Sequence, residues 1–345
     1  MKVGIQKDYY NFECDFILKY FEILKLNNIE CVWVDINEQS FWDEIKKLDL
    51  FIYRFRHFDN DKMTAQSILP IIEKELKMNV FPDQNTCWHF DDKIKQYYLL
   101  SSFSFPFTKC WIFWDRKKAL EWVKAAAYPI IFKLKAGAGS TNIVKVESSI
   151  YAKKMVNIMF GKGIASGILP IKNSTRDKDL TLNKYFRSKA REIVNFIQGK
   201  DSSPFWQKDK NYVLFQKFLP DNEFDTRITI IGNRAFGFRR MTRKDDFRAS
   251  GSGNIDHDPK KVDLKCVEIA FDISKKLKFQ SMAYDFLYNE KKEPEICEIS
   301  YTFQDKAVYN CPGYWDDKLN WNEGHFWPQY CQLSDLLKIE HLKQS

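Results

Sequence analysis

Apolar positions along the first eighty residues alternate between two periods. Val3 to Gln6 reads as a strand, Asp15 to Leu26 carries apolar residues at helical spacing, and Ile29 to Val34 is rich in β-branched and aromatic residues. Gln39 to Leu48 is helical again, and Leu50 to Arg54 is a further strand. Strands separated by helices of this length predict a small parallel α/β domain over residues 1–80, with its ligand crevice at the carboxyl ends of the strands. Arg54, Arg56 and His57 follow one such end.

The pattern then changes. Asp91-Asp92-Lys93 opens a helix to about Ser102, the Phe105-Pro106 segment breaks it, and Lys117 to Ala126 forms another before Pro129. Pro129 to Lys135 is a strand, Ala136 to Thr141 a glycine-rich turn, and Ile143 to Val146 a second strand. Strand, glycine turn, strand is neither the Rossmann fingerprint nor the Walker loop, both of which lead into a helix. These elements define a unit over residues 81–160. A polar stretch over 161–210 follows, in which Lys172 to Lys210 carry ten cations against five acids. A unit over 211–305 comes next, with strands at Tyr212 to Phe218 and Thr226 to Ile231, a Gly232-Asn233 turn, and strand Arg234 to Met241. It continues through helix Val262 to Leu277 and strands Ser281 to Leu287 and Glu295 to Ile299. The tail, 306–345, is aromatic-rich, with Trp315, Trp321 and Trp327.

Composition narrows the class. At 345 residues with 44% hydrophobic and 29% charged residues, the chain is too apolar for disorder and long enough for two or three domains. Its formal charge of +8 suits a phosphate-bearing ligand as well as a solvated basic surface. Eight cysteines stand singly, without zinc spacing, and read as reduced thiols of a cytoplasmic protein. No stretch approaches the roughly 18 uncharged apolar residues of a membrane span.

Three constellations carry chemistry. Asp285 and Glu298 lie on adjacent strands among apolar residues, where a carboxylate must pair with a cation, take a proton or bind a metal. The glycine turn offers backbone N–H groups to phosphate oxygens, with Lys133 and Lys135 just before it. Asp225-Thr226-Arg227, Arg239-Arg240 and Arg248-Ala249-Ser250-Gly251 to Asn254 bring arginine forks beside a Ser/Gly-rich segment. Taken singly, a structural ion pair and an ordinary hairpin are the better explanations of the first two; a solvated arginine face accounts for Arg243 but less readily for Arg227, which alternates with Ile228 and Ile230 on a strand.

In this order, over roughly residues 80–305, the pieces resemble the ATP-grasp ligases, the superfamily of glutathione synthetase, D-alanine–D-alanine ligase and the RimK-like glutamate ligases. The resemblance implies an ATP-grasp fold of the α/β class behind the N-terminal parallel domain. It implies phosphate-binding roles for Lys93, Lys133, Gly139 and Ser140, and adenine contacts from Gln216, Lys217, Phe218 and Leu219, with Asp225 nearby. Asp285, Glu298 and Ser300 correspond to the metal motif, Ser300 standing where the family usually has Asn, so that a second Mg2+ would be held there by a hydroxyl, by water or not at all. Arg227, Arg240 and Arg248 would act on the transferring phosphoryl or the carboxylate. Only one of Arg239 and Arg240 can face the site, and the paired spacing favours Arg240. Ser250 and Asn254 would line the acceptor side; Arg54 and Arg56, by their place in the first domain, suit an anionic substrate.

The implied reaction phosphorylates a substrate carboxylate with ATP and passes the acylphosphate to an amine. Its partners would be small molecules, an amino acid, a peptide or a nucleotide-linked sugar, and not nucleic acid. A homodimer is the default expectation for such folds. Two readings from other classes use the same residues differently. A kinase of the same fold would stop at the phosphorylated product. A basic nucleic-acid binder would use the 161–210 stretch with Phe186, Phe196, Phe205 and Trp206, and would bind with strong salt dependence and without regard to ATP.

Overall fold

The computed structural model describes residues 1–7, 15–137, 143–165, 208–243, 253–339 and 341–344. The chain opens with β1 (Lys2–Gln6), α1 (Asp15–Leu26), β2 (Glu30–Val34), α2 (Phe41–Ile45), β3 (Leu50–Ile52), α3 (Asp59–Pro70) with a π-helical turn at Ile71–Glu75, and β4 (Asn79–Phe81). The four strands form one parallel sheet in the order β2-β1-β3-β4, as the strand–helix alternation predicts. Gly4 in β1 is required by packing: a Cβ there would stand 2.2 Å from a methyl of Leu48. Strand β3 ends at Ile52 rather than Arg54, so Arg54 to His57 stand on the loop beyond the sheet's carboxyl edge.

The second unit contains α4 (Gln84–Cys87), α5 (Lys93–Ser102), β5 (Cys110–Phe113), α6 (Arg116–Ala125), β6 (Ile130–Lys133), β7 (Ile143–Val146), α7 (Ser149–Met159), β8 (Ile164–Ala165), β9 (Lys208–Asp209) and β10 (Val213–Lys217). Its main sheet runs β5-β10-β6-β7, antiparallel throughout. Val123 of α6 and Val156 of α7 bury against Phe132 and Phe215 of the strands in one core. Most of the 161–210 stretch lies outside the described residues; its ends form the two-residue pair β8–β9.

The third unit is built from β11 (Phe224–Ile231), β12 (Arg234–Met241), β13 (Ile255–Asp256), α8 (Leu264–Leu277), β14 (Ser281–Tyr288), β15 (Pro294–Ser300), α9 (Asp305–Tyr309), β16 (Gly313–Trp315), β17 (Trp321–Glu323) and α10 (Pro328–Leu337). Its sheet runs β15-β14-β11-β12-β16-β17, with β13 beside β12. Side-chain alternation gives that sheet two faces. Ile228 and Ile230 bury against Val267, Ala270 and Ile273 of α8. The opposite face is divided along its length. Phe236, Phe238 and Ala283 join a core with Tyr20 and Ile23 of α1 and Leu333 of α10, whereas Asp225, Arg227, Arg240 and Asp285 occupy the polar end.

The aromatic-rich tail is therefore part of the fold. Strand β16 extends the third sheet through Ala235 opposite Trp315, and α10 packs on α1 of the first domain. Trp315 is buried, and Trp327 stacks on Tyr309 with ring centroids 4.1 Å apart. Among the described residues no helix is long and apolar enough to cross a membrane, and the described cysteines are all free thiols.

Candidate active site

The polar end of the third sheet is an ion-pair cluster set by strand register. Asp225 stands opposite Arg240 and Arg227 opposite Asp285, while Asp285 stands opposite Glu298. The Arg240 guanidinium forks Asp225, Nε to Oδ1 at 2.7 Å and Nη2 to Oδ2 at 2.6 Å, and its Nη2 also reaches Asp285 Oδ2 at 2.7 Å. Arg239 points to the other face, where it donates to Asp256 at 2.8 Å and lies over the Phe224 ring. Of the two neighbouring arginines it is Arg240 that faces the cluster.

The two aspartates share two guanidiniums and titrate as a pair. Burial pushes Asp285 up, but Arg227 and Arg240 outweigh it and hold the carboxyl well below the usual range. Burial raises Asp225, an effect its bond to Arg240 only partly reverses while the ionised Asp285 adds to it.

Strand β15 carries a bulge beside this cluster. Phe286 faces Ile296 but Asp285 faces Glu298, so Cys297 is the extra residue, and it places Glu298 toward α5. The backbone N–H of Ile299 donates to Gln96 Oε1 at 3.3 Å, docking α5 on β15. Lys93, first residue of that helix, consequently meets Glu298 Oε1 at 3.2 Å and Gly137 O at 2.9 Å. Burial pushes the Lys93 ammonium toward neutrality, yet Glu298 and Asp91 more than offset this and keep it charged. Asp92 caps the helix by accepting from the backbone N–H groups of Ile94 and Lys95, both at 3.1 Å.

Lys133, at the end of β6, is 6% exposed, and among the described residues its ammonium is in no ion pair. Its resolved electrostatic influence falls on two thiols, Cys110 and Cys297. Burial pushes Cys110 up to about 12 and Cys297 higher still, in each case against the pull of Lys133. On β10, Gln216 is buried with its amide 3.5 Å from Cys110 Sγ, and Leu219 is buried beyond it. Lys217 turns outward to Glu290 at 2.9 Å, and the Phe218 ring lies under Lys145.

No protein-family model matches the chain, and no curated protein matches it in sequence. Solved structures match over nearly its full length. A RimK-domain ATP-grasp protein of Sphaerobacter thermophilus aligns at TM-score 0.55 and 11% identity, covering 98% of this chain and 100% of the other. The D-alanyl-alanine synthetase A of Vibrio cholerae aligns at 0.57 and 10%, covering 97% and 98%. The chain has the ATP-grasp fold. A RiPP-associated ATP-grasp ligase of Chryseobacterium gregarium, solved with ADP and a leader and core peptide, aligns at 0.57 and 11%, covering 100% of this chain and 98% of its own.

The ATP-grasp fold of this chain brings Lys93, Glu298, Asp285, Arg227, Arg240 and Asp225 into one contiguous network. Lys133 ends the strand that leads into the glycine turn, and two residues on the carbonyl of Lys135 accepts from the backbone N–H of Lys93 at 2.9 Å. Ser300 is turned aside, its hydroxyl donating to Thr302 O at 2.9 Å and accepting from Thr302 N at 3.2 Å. Arg54 bridges from the first domain, donating to Phe303 O at 3.1 Å with its guanidinium over the Phe16 ring. The backbone N–H of Arg56 donates to Asp61, and the backbone carbonyl of Asn254 accepts from Met241. Gly139, Ser140, Arg248 and Ser250 lie outside the described residues. Sequence reasoning missed Asp91, His57's contact with it, and the bulged Cys297. For Asp91 the available signal was its place beside Asp92-Lys93 at a helix start. No local pattern marks a bulge between two apolar strands.

Proposed function

We propose that the protein is an ATP-dependent carboxylate–amine ligase, phosphorylating a substrate carboxylate and passing the acyl group to an amine with release of ADP and phosphate. The observation that carries this reading is Lys133, a buried lysine that no described carboxylate neutralises, on the strand leading into the stem that Lys93 holds through Lys135 O and Gly137 O. A buried cation without an anion is costly, so a polyanion seated there is the economical solution. The solved neighbours include enzymes crystallised with ADP or ATP, which agrees with a nucleotide in that place.

Mg2+ is tested against the donors present. A carboxylate offers about four lone-pair positions; Asp285 uses three on Arg227 and Arg240, and Glu298 uses Oε1 on Lys93. Both keep oxygen capacity, and Mg2+ bound with nucleotide phosphates needs only one or two protein carboxylates. These two residues would hold it, where it would supply charge neutralisation between phosphate groups. Ser300, committed to Thr302, is left out of this set.

The chain's own groups account for the rest. Lys93 and Lys133 bind and orient the phosphates, with Gly139 and Ser140 adding donors. Gln216 to Leu219 line the adenine side. Arg227 and Arg240 each spend only Nε and Nη2 on carboxylates, which leaves N–H donors for the transferring phosphoryl or the substrate carboxylate. Arg248, Ser250 and Asn254 serve the acceptor side, and Arg54 and Arg56 the first-domain side. Positioning and charge neutralisation do most of the work in phosphoryl transfer, so the protein needs no nucleophile of its own.

The test is a thermal-shift and phosphate-release screen with Mg-ATP against pooled carboxylates crossed with pooled amines, including amino acids, peptides and uronic-acid sugars. Phosphate released only with both pools present supports the ligase. Release with one pool alone would reassign the protein as a kinase or hydrolase, and no stabilisation by ATP would end the nucleotide reading.

A further inference from the structure

Asp91 sits where the first domain, α5 and the stem of the glycine turn converge, and its carboxylate joins the first domain to the stem. Its Oδ1 accepts from the backbone N–H of Gly137 at 2.8 Å and lies 3.2 Å from His57 Nδ1, while Oδ2 accepts from Lys62 Nζ at 2.7 Å. Lys62 is held in turn by Asp59 at 3.1 Å. The residue is buried, and it adopts a left-handed backbone conformation, φ +53°, which few non-glycine residues take without support from their surroundings.

Gly137 is gripped on both sides. Asp91 takes its N–H, and Lys93 takes its carbonyl at 2.9 Å while holding Glu298 with the same ammonium. Its φ of +114° is a conformation that side-chain-bearing residues rarely adopt, so the position is built for this one geometry. The peptides on either side of Gly137 are thus fixed by two residues of one short segment, Asp91 and Lys93. Of these, only Asp91 also bonds to the first domain.

We infer, on the basis of the nucleotide reading above, that Asp91 is a positioning residue through which the first domain sets the geometry of the phosphate site. It holds the turn stem at Gly137, so that the Lys93 ammonium is available to phosphate oxygens instead of being the stem's sole tether. His57 and Lys62 carry the other end of the link. His57 follows β3 at the sheet edge, with Nδ1 3.2 Å from Asp91 Oδ1.

A residue of merely structural importance would weaken every nucleotide alike. The experiment therefore compares two ligands, Mg-AMPPNP and AMP, by calorimetric titration of the full chain, reading the ratio of their affinities. Asp91→Asn is expected to weaken Mg-AMPPNP about tenfold with AMP little changed, the size of effect that a small misplacement of charged groups produces. Asp91 is buried, so Asn could prevent folding, and His57→Phe is the second variant. It keeps the ring packed on Phe90, 4.9 Å away, but removes the nitrogen, and should lower the same ratio about threefold. An unchanged ratio in the folded variants overturns the inference. If the wild-type protein fails to bind AMPPNP, the nucleotide reading itself has failed.

Discussion

Arg227 grips Asp285 across paired strands, its Nε 2.6 Å from Oδ1 and its Nη2 2.8 Å from Oδ2. Arg240 reaches the same carboxylate and joins it to Asp225. The four side chains balance, two cations against two anions, so the cluster tolerates burial only as a whole.

Asp285→Asn keeps the shape but leaves two guanidiniums, Arg240 buried and Arg227 half-buried, with one carboxylate. A buried pair broken from one side costs about 3–5 kcal/mol, and urea unfolding at pH 7 should show a loss of that order. Because the folded-state pKa of Asp285 lies below its unfolded value, its contribution is present above the unfolded pKa and is lost as pH falls through the folded one. The difference between wild type and variant should therefore hold from pH 8 to 5 and shrink under strong acid. A difference that vanished near pH 6 would contradict the assigned pairing.

Lys133→Met should separate binding from stability. The ammonium is buried with no described counter-charge, so methionine of similar volume removes a desolvation cost. We expect the ligand-free variant to be as stable as wild type or more so, by about 1 kcal/mol, while thermal stabilisation by Mg-ATP disappears. A variant that still gains stability from Mg-ATP would remove Lys133 from the phosphate site.

Asp209 offers a pH test away from that cluster. Burial raises its pKa to about 6, only partly opposed by Tyr212 and Lys135. A carboxyl whose folded pKa is raised gives stability that is present below the unfolded value, near 4, and is lost as pH climbs through the folded one. Asp209→Asn should accordingly stabilise the protein by about 2 kcal/mol at pH 7.5 and leave it unchanged at pH 4. Equal effects at both pH values in chemical denaturation would show that charge is not the cause.

Much of this was legible in the residue order. Period-two alternation put Arg227 on one face of the strand and Ile228 and Ile230 on the other, and the structure keeps that division while starting β11 earlier, so that Asp225 joins the Arg227 face. The parallel first sheet followed from strands spaced by helices. The helix Asp59–Pro70 and the short strands β4 and β5 were not visible, since three or four apolar residues look alike in a strand, a loop or a buried turn. The tail tryptophans read more readily as packing than as a stacking surface for sugar or base rings, and in the fold Trp315 is buried against the third sheet.

What the sequence by itself determined is local: which segments pair or coil, which side chains share a face, and which residue types could bind phosphate and metal. The tertiary structure decided the partners. Lys93 meets Glu298 only because Gln96 docks α5 on a bulged strand. Register across the third sheet decided that Arg240, not Arg239, joins Asp225 and Asp285. Asp91 reaches Gly137, His57 and Lys62 only where three separate elements meet. Periodicity is a property of neighbouring residues and survives in the sequence, whereas an ion pair between distant segments depends on how whole elements pack, which no local pattern encodes.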